Sequence, residues 1–127
     1  MKTIGMIGTR RRNTFNDRKD CIQAFEAIYE AGDILVSGGC PKGGDNFAEF
    51  IAKEDGIGIL IFYPNWNKYH RAAGFVRNSD IADNSDVLIA CVAEDRKGGT
   101  EDTIKKFIKK FSFDEKAAVK EGKLILV

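Results

Sequence analysis

Several things are scarce in this chain. Only three cysteines occur among its 127 residues, at Cys21, Cys40 and Cys91. They are odd in number and widely spaced, which argues against a disulfide framework and leaves no Cys-x-x-Cys pair for zinc. No metal is expected. The sole histidine, His70, reads as a surface residue rather than a catalytic base. No apolar run approaches the roughly 20 residues of a membrane span, so no membrane partner is expected. No stretch has the pattern of a signal peptide. The cytoplasm is the expected compartment. An excess of one charge is also missing: 20 Lys and Arg stand against 19 Asp and Glu, for a net charge of +1. Composition therefore gives no case for non-specific adhesion to nucleic acid or to a membrane surface.

What remains is ordinary globular material, 43% hydrophobic and 31% charged, read as one domain over 1–127 with one core. Apolar runs alternate with helical periodicity. Thr3 to Gly8 is a first strand, and Asn16 or Asp17 is expected to cap the helix that follows. Cys21, Ile22, Phe25, Ile28 and Tyr29 are spaced along its buried face, and Gly32 ends it. Asp33 to Val36 is a second strand, and a second helix runs to about Asp55. Ile57 to Tyr63 is a third apolar run, which does not alternate and so predicts burial on both faces. Asn65 to Arg71 reads as irregular, and Ala72 to about Asn84 as helical. Asp86 to Cys91 is a fourth strand. Thr100 opens a helix with Ile104, Phe107, Ile108 and Phe111 on one side, Phe113 to Glu121 offers a further helical turn, and Lys123 to Val127 is a last strand. Strands alternating with helices predict an α/β fold: a three-layer, Rossmann-like sandwich around a mainly parallel sheet of about five strands.

The most unusual stretch follows the second strand: Ser37-Gly38-Gly39-Cys40-Pro41-Lys42-Gly43-Gly44-Asp45. A glycine-rich loop between a strand and a helix offers free amides and the positive end of the helix dipole to an anion. A tight turn satisfying only backbone geometry is the plainer alternative. Two other loops lie at the same edge of a parallel sheet. They are Gly8-Thr9-Arg10 after the first strand and Gly98-Gly99-Thr100 after the fourth. If the first and fourth strands are neighbours at the switch point, all three loops meet there. The helix bearing Arg77-Asn78 is placed to add a side chain. Arg10, nearest the strand end, is the preferred phosphate contact among three consecutive arginines. Asp45 either caps the second helix or orients a ribose. Arg77 otherwise pairs with Asp80. Cys40 lacks an obvious partner for nucleophilic chemistry. Trp66 and Tyr69 read as packing residues before base-stacking ones.

Two familiar phosphate motifs are not met. Gly44 and Asp45 stand where a Walker A loop requires Lys and Ser/Thr, and Gly-x-Gly-x-x-Gly is missing after the first strand. The order and spacing of the motifs nevertheless resemble a known family. Gly8-Thr9-Arg10, Ser37-Gly38-Gly39 through Gly43-Gly44-Asp45, Trp66 with Ala73-Gly74, Arg77-Asn78 and Gly99-Thr100 together resemble the YspA/YpsA-related branch of the SLOG superfamily, named for Smf/DprA and Lonely Guy members. The resemblance runs from Ile4 to about Lys110. It implies a Rossmann-like domain that binds a nucleotide or nucleotide-derived ligand, of NAD/ADP-ribose or nucleoside phosphate type, at the carboxyl edge of the sheet. The expected role is a sensor or sequestering module, and relatives occur in phages and conflict systems. No other cofactor is expected, and a homo-oligomer is, because relatives often dimerise.

The resemblance also implies two alternatives. One is N-glycosidic-bond hydrolysis of a nucleotide, as in Lonely Guy phosphoribohydrolases. Their Pro-Gly-Gly-x-Gly-Thr-x-x-Glu motif, aligned on Gly99-Thr100, puts Thr103 where the glutamate belongs. A hydrolase here would have to draw its carboxylate from Asp45, Glu101 or Asp102. The other is DprA-like single-stranded DNA binding, against which the near-neutral charge argues.

Overall fold

A computed structural model describes all of residues 1–127. Five parallel strands form one sheet in the order β3-β2-β1-β4-β5. They are β1 (Thr3–Gly8), β2 (Ile34–Ser37), β3 (Ile59–Ile61), β4 (Val87–Cys91) and β5 (Leu124–Leu126). The helices are α1 (Phe15–Ile28), α2 (Gly44–Asp55), α3 (Trp66–Tyr69), α4 (Ala73–Asp83), α5 (Gly99–Lys110) and α6 (Glu115–Lys120), with a 3-10 turn at His70–Ala72.

The sheet is apolar on both faces, as parallel sheets covered by crossover helices must be. On one face Ile4, Met6, Leu35 and Ile89 pack against Cys21 and Phe25 of α1 and Phe47 and Ile51 of α2. On the other, Ile7, Val36, Leu88 and Ala90 pack against Ile81 of α4, Ile104 and Phe107 of α5 and Ala118 of α6. The result is the expected three-layer, Rossmann-like sandwich. The chain builds outward from β1 to β2 and β3, then crosses back to β4 on the other flank of β1. The order reverses between β1 and β4, whose pairing runs from Ile4–Val87 to Gly8–Cys91. A crevice opens at such a reversal because adjoining crossovers leave in opposite directions.

Three local expectations need correction. The third apolar run is not a strand buried on both faces. Only Ile59–Ile61 is regular strand, it lies at the sheet edge, and Leu60 is 40% exposed. Nothing pairs beyond it, so the run lacks alternation without being central. Helix α1 is capped not by Asn16 or Asp17 but by Thr14. Its hydroxyl accepts from the Asp17 amide at 3.1 Å, and the Asp17 carboxylate accepts from the Thr14 amide at 3.1 Å. This is a capping box with Asp in the Glu position. The segment from Asn65 to Arg71 is ordered into α3 and the 3-10 turn, with Asn65 accepting from the Lys68 amide.

Candidate functional site

The crevice at the β1/β4 reversal is a cleft of about 340 Å³. Four elements line it. The end of β1 and the loop after it supply Ile7, Gly8, Thr9 and Arg10. Helix α4 supplies Arg77, Asn78 and Ile81, and the first turns of α5 supply Gly99, Thr100 and Thr103. Cys40 and Asp45 come from the β2–α2 segment. The three loops placed at one edge from sequence therefore do meet, and α4 adds to them.

The glycine-rich loop has a different local task from a phosphate cradle. A Cβ on Gly44 would lie 2.1 Å from the Ile7 carbonyl carbon, and one on Gly43 would lie 2.5 Å from the Thr9 oxygen. Gly43 also has φ +78°, a conformation that favours glycine. These two residues let the start of α2 rest directly on the end of β1. Both are buried, and the Gly43 amide already donates to Asn13 Oδ1 at 2.9 Å. Ser37 is buried as well, its hydroxyl donating to the Asp45 carbonyl at 3.2 Å. The Gly38 carbonyl accepts from Arg77 Nη1 at 2.5 Å, and Gly39 packs under the ring of Tyr63. Ser37, Gly38, Gly39, Gly43 and Gly44 thus shape the wall behind the cleft rather than its surface.

The three arginines after β1 divide by partner. Arg11 holds Asp95 with both terminal nitrogens, at 3.0 and 2.7 Å. Arg12 donates from Nε to Asp17 at 3.0 Å and from Nη1 to the Val92 and Val127 carbonyls. Arg10 has no carboxylate or carbonyl partner, is exposed, and lines the cleft. Arg77 lines it too, but its Nη1 is committed to Gly38 and its Nε donates to Asn78 Oδ1 at 3.0 Å. It does not pair with Asp80.

Helix α5 meets the cleft with its N-terminus. Its N-cap, Gly98, has φ +120° and provides no side-chain cap, so the first amides are left without one. Acidic residues in a first turn would normally complement the dipole themselves. Here both are engaged elsewhere. Glu101 is gripped by Arg96 at 2.9 Å from Nε and from Nη2, and Arg96 reaches Glu115 as well. Asp102 accepts from Lys106 Nζ at 2.7 Å and from Asn78 Nδ2 at 3.1 Å. Neither lines the cleft.

Asp45 is therefore the one candidate catalytic carboxylate that faces the cavity. Burial pushes its carboxyl above the usual carboxylate range, while the Cys40 and Gly38 amides and the Arg77 charge pull the other way. Its Oδ2 accepts from the Cys40 amide at 3.1 Å. Thr103, which is 2% exposed, lines the cleft as well, at the position where the phosphoribohydrolase motif has its glutamate. It follows Thr100 by three positions, the spacing that shares a helix face. Ile7 and Ile81 add apolar surface to the lining. Cys40 was weighed as a nucleophile and set aside, yet it lines the cleft.

Compared with family models, curated proteins and solved structures, the chain matches none.

Proposed function

We propose that this protein binds a nucleotide or nucleotide-derived ligand, of the NAD/ADP-ribose type or a nucleoside phosphate, at the carboxyl edge of its sheet, as a sensing or sequestering module. One observation carries the reading: the uncapped N-terminus of α5 and the unpaired guanidinium of Arg10 face the same cleft at the switch point. Backbone amides at a helix start, the positive end of the dipole and a planar bidentate donor together favour a phosphate oxyanion. The local neutralisation of Glu101 and Asp102 keeps their charge from opposing it. The phosphate rests on Gly99 and Thr100, with Arg10 across from them. Arg77 and Asn78 hold the surrounding wall, and Asp45 orients a hydroxyl of the sugar. This is the ligand class that the resemblance to the YspA/YpsA-related SLOG branch implies.

A thermal-shift panel tests the reading with AMP, ADP-ribose, NAD, nucleoside triphosphates and a short single-stranded DNA. Arg10→Ala is the informative variant, because Arg10 supports no structural contact. A ligand at about a hundred times its dissociation constant adds roughly 2.7 kcal/mol of stability, a rise of several degrees for a domain of this size. The expected result is a rise with one nucleotide class that Arg10→Ala reduces. Flat curves with every nucleotide would overturn the proposal, and a response to DNA alone would replace it.

A second reading is carried by Asp45, a carboxyl raised by burial and facing the cleft. It is the hydrolytic alternative: cleavage of an N-glycosidic bond with Asp45 stabilising the developing oxocarbenium charge. It predicts free base released over time from whichever nucleotide binds, and no release from Asp45→Asn. Binding without release retains the sensing or sequestering role.

A further inference from the structure

The cleft does not end at its polar lining. On the β3 side, beyond Cys40, an exposed aromatic ridge continues the same edge of the sheet. Tyr63, two residues past β3, is 65% exposed, and Trp66 at the start of α3 is 58% exposed. The position of Tyr63 is built rather than incidental. The Phe62 amide still donates to the Ser37 carbonyl at 2.9 Å, so the chain is held parallel to β2 up to that point. The ring then lies against Gly39, where a Cβ would stand 2.5 Å from Cε1 and 2.6 Å from Cδ1. Any side chain at 39 would displace the ring. Gly39 is also at φ +75°. The chain thus lays a tyrosine ring against the backbone next to Cys40 and leaves most of that ring in solvent.

The two ends of the cleft differ in chemistry. At the α5 end, where Asn78 Nδ2 donates to the Gly99 carbonyl at 3.4 Å, stand the first amides of the helix and the Arg10 guanidinium. At the other end, where Arg77 reaches the Gly38 carbonyl, stands the Tyr63 ring beside Gly39.

Resting on the phosphate reading above, we propose that Tyr63 is the base-stacking subsite of this cleft, so that the base of the nucleotide is held as well as its phosphate. The phosphate sits on Gly99 and Thr100 by Arg10. The ribose crosses near Asp45 and Cys40, and the base lies on the Tyr63 ring. Stacking on an aromatic face is tolerant of base identity, so the subsite demands a base without fixing which one.

Calorimetric titration of the full chain with ADP, AMP and inorganic pyrophosphate tests this. Wild type is expected to bind ADP about tenfold or more tightly than pyrophosphate, the increment that one base–aromatic stack supplies. Tyr63→Ala should bring ADP down to the level of pyrophosphate while leaving pyrophosphate unchanged, and Tyr63→Phe should keep the preference. Trp66, the sole tryptophan, gives an independent readout: its fluorescence should change with ADP and not with pyrophosphate. Equal affinity of wild type for ADP and pyrophosphate overturns the subsite and leaves the anion site standing. So does an undiminished ADP preference in Tyr63→Ala. If that variant instead changes only its sedimentation, the ridge is a contact between copies of the chain. Failure of all three ligands to bind overturns the phosphate reading as well.

Discussion

At Gly44 the limiting quantity is a single carbon atom. The backbone of β1 lies where its Cβ would be, and neither partner is a flexible side-chain tip that can swing aside. Gly44→Ala is expected to cost at least the 1–3 kcal/mol of a typical overpacking change. Chemical denaturation should show it as a lower midpoint with little change in slope. Asp33 is the corresponding electrostatic case. Burial works against its charge, but Lys2 Nζ at 2.5 Å and the Lys2 and Glu30 amides outweigh burial and hold the carboxyl at about 2. A depressed folded value means stability present above the unfolded value, about 3.9, and lost as pH falls through 2. Asp33→Asn should therefore destabilise at neutral pH by roughly 2 kcal/mol, and should flatten the stability curve between about pH 4 and 2. The cysteines differ by exposure. Cys21 and Cys91 are fully buried, and hydrogen bonding to Cys91 together with burial pushes the Cys21 thiol up. A thiol reagent should titrate one cysteine, Cys40, in the native protein and three in denaturant.

Among the elements, α1 depends on its capping box. Thr14→Ala removes the acceptor for the Asp17 amide and should cost about 1 kcal/mol, read as a fall in thermal midpoint. That cap also marks what the sequence made legible. The amphipathic stripe of α1 placed the helix, but its start hinged on which of several polar residues turned its side chain back, and Thr14, Asn16 and Asp17 look alike from sequence. The α/β alternation was legible because every strand ran apolar and the longer helices had their period, which the four-residue α3 is too short to show. The rank of β3 in the sheet was not, because an edge strand leaning on two cores has the same composition as a central one. The convergence of the three loops was legible, since parallel topology puts all strand ends at one edge. The division of labour within them was not. Glycine serves a close backbone contact and a ligand cradle equally well, and only the position of Ile7 behind Gly44 distinguishes them here. Arg10 could be preferred among the arginines after β1 for its closeness to the strand end, but the engagement of the other two could not be read, because Asp95 and Val127, which claim Arg11 and Arg12, arrive from far along the chain.

For the molecule as a whole, the two apolar cores share their strands. Ile4 and Met6 face one core and Ile7 the other. Leu35 and Val36, and Ile89 and Leu88, divide the same way. Neither face can come apart while the other stays packed, so unfolding is expected to be one cooperative transition. Coincident denaturation curves from circular dichroism and Trp66 fluorescence would show it, and separated curves would count against it. With Cys21 and Cys91 enclosed, the one thiol that opens onto solvent stands on the wall of the cleft, between the phosphate end and Tyr63. That makes Cys40 an anchor: small fragments tethered there through a reversible disulfide would be held within reach of both ends. Those retained under mild reduction would sketch the natural ligand piece by piece, with no prior guess at its identity.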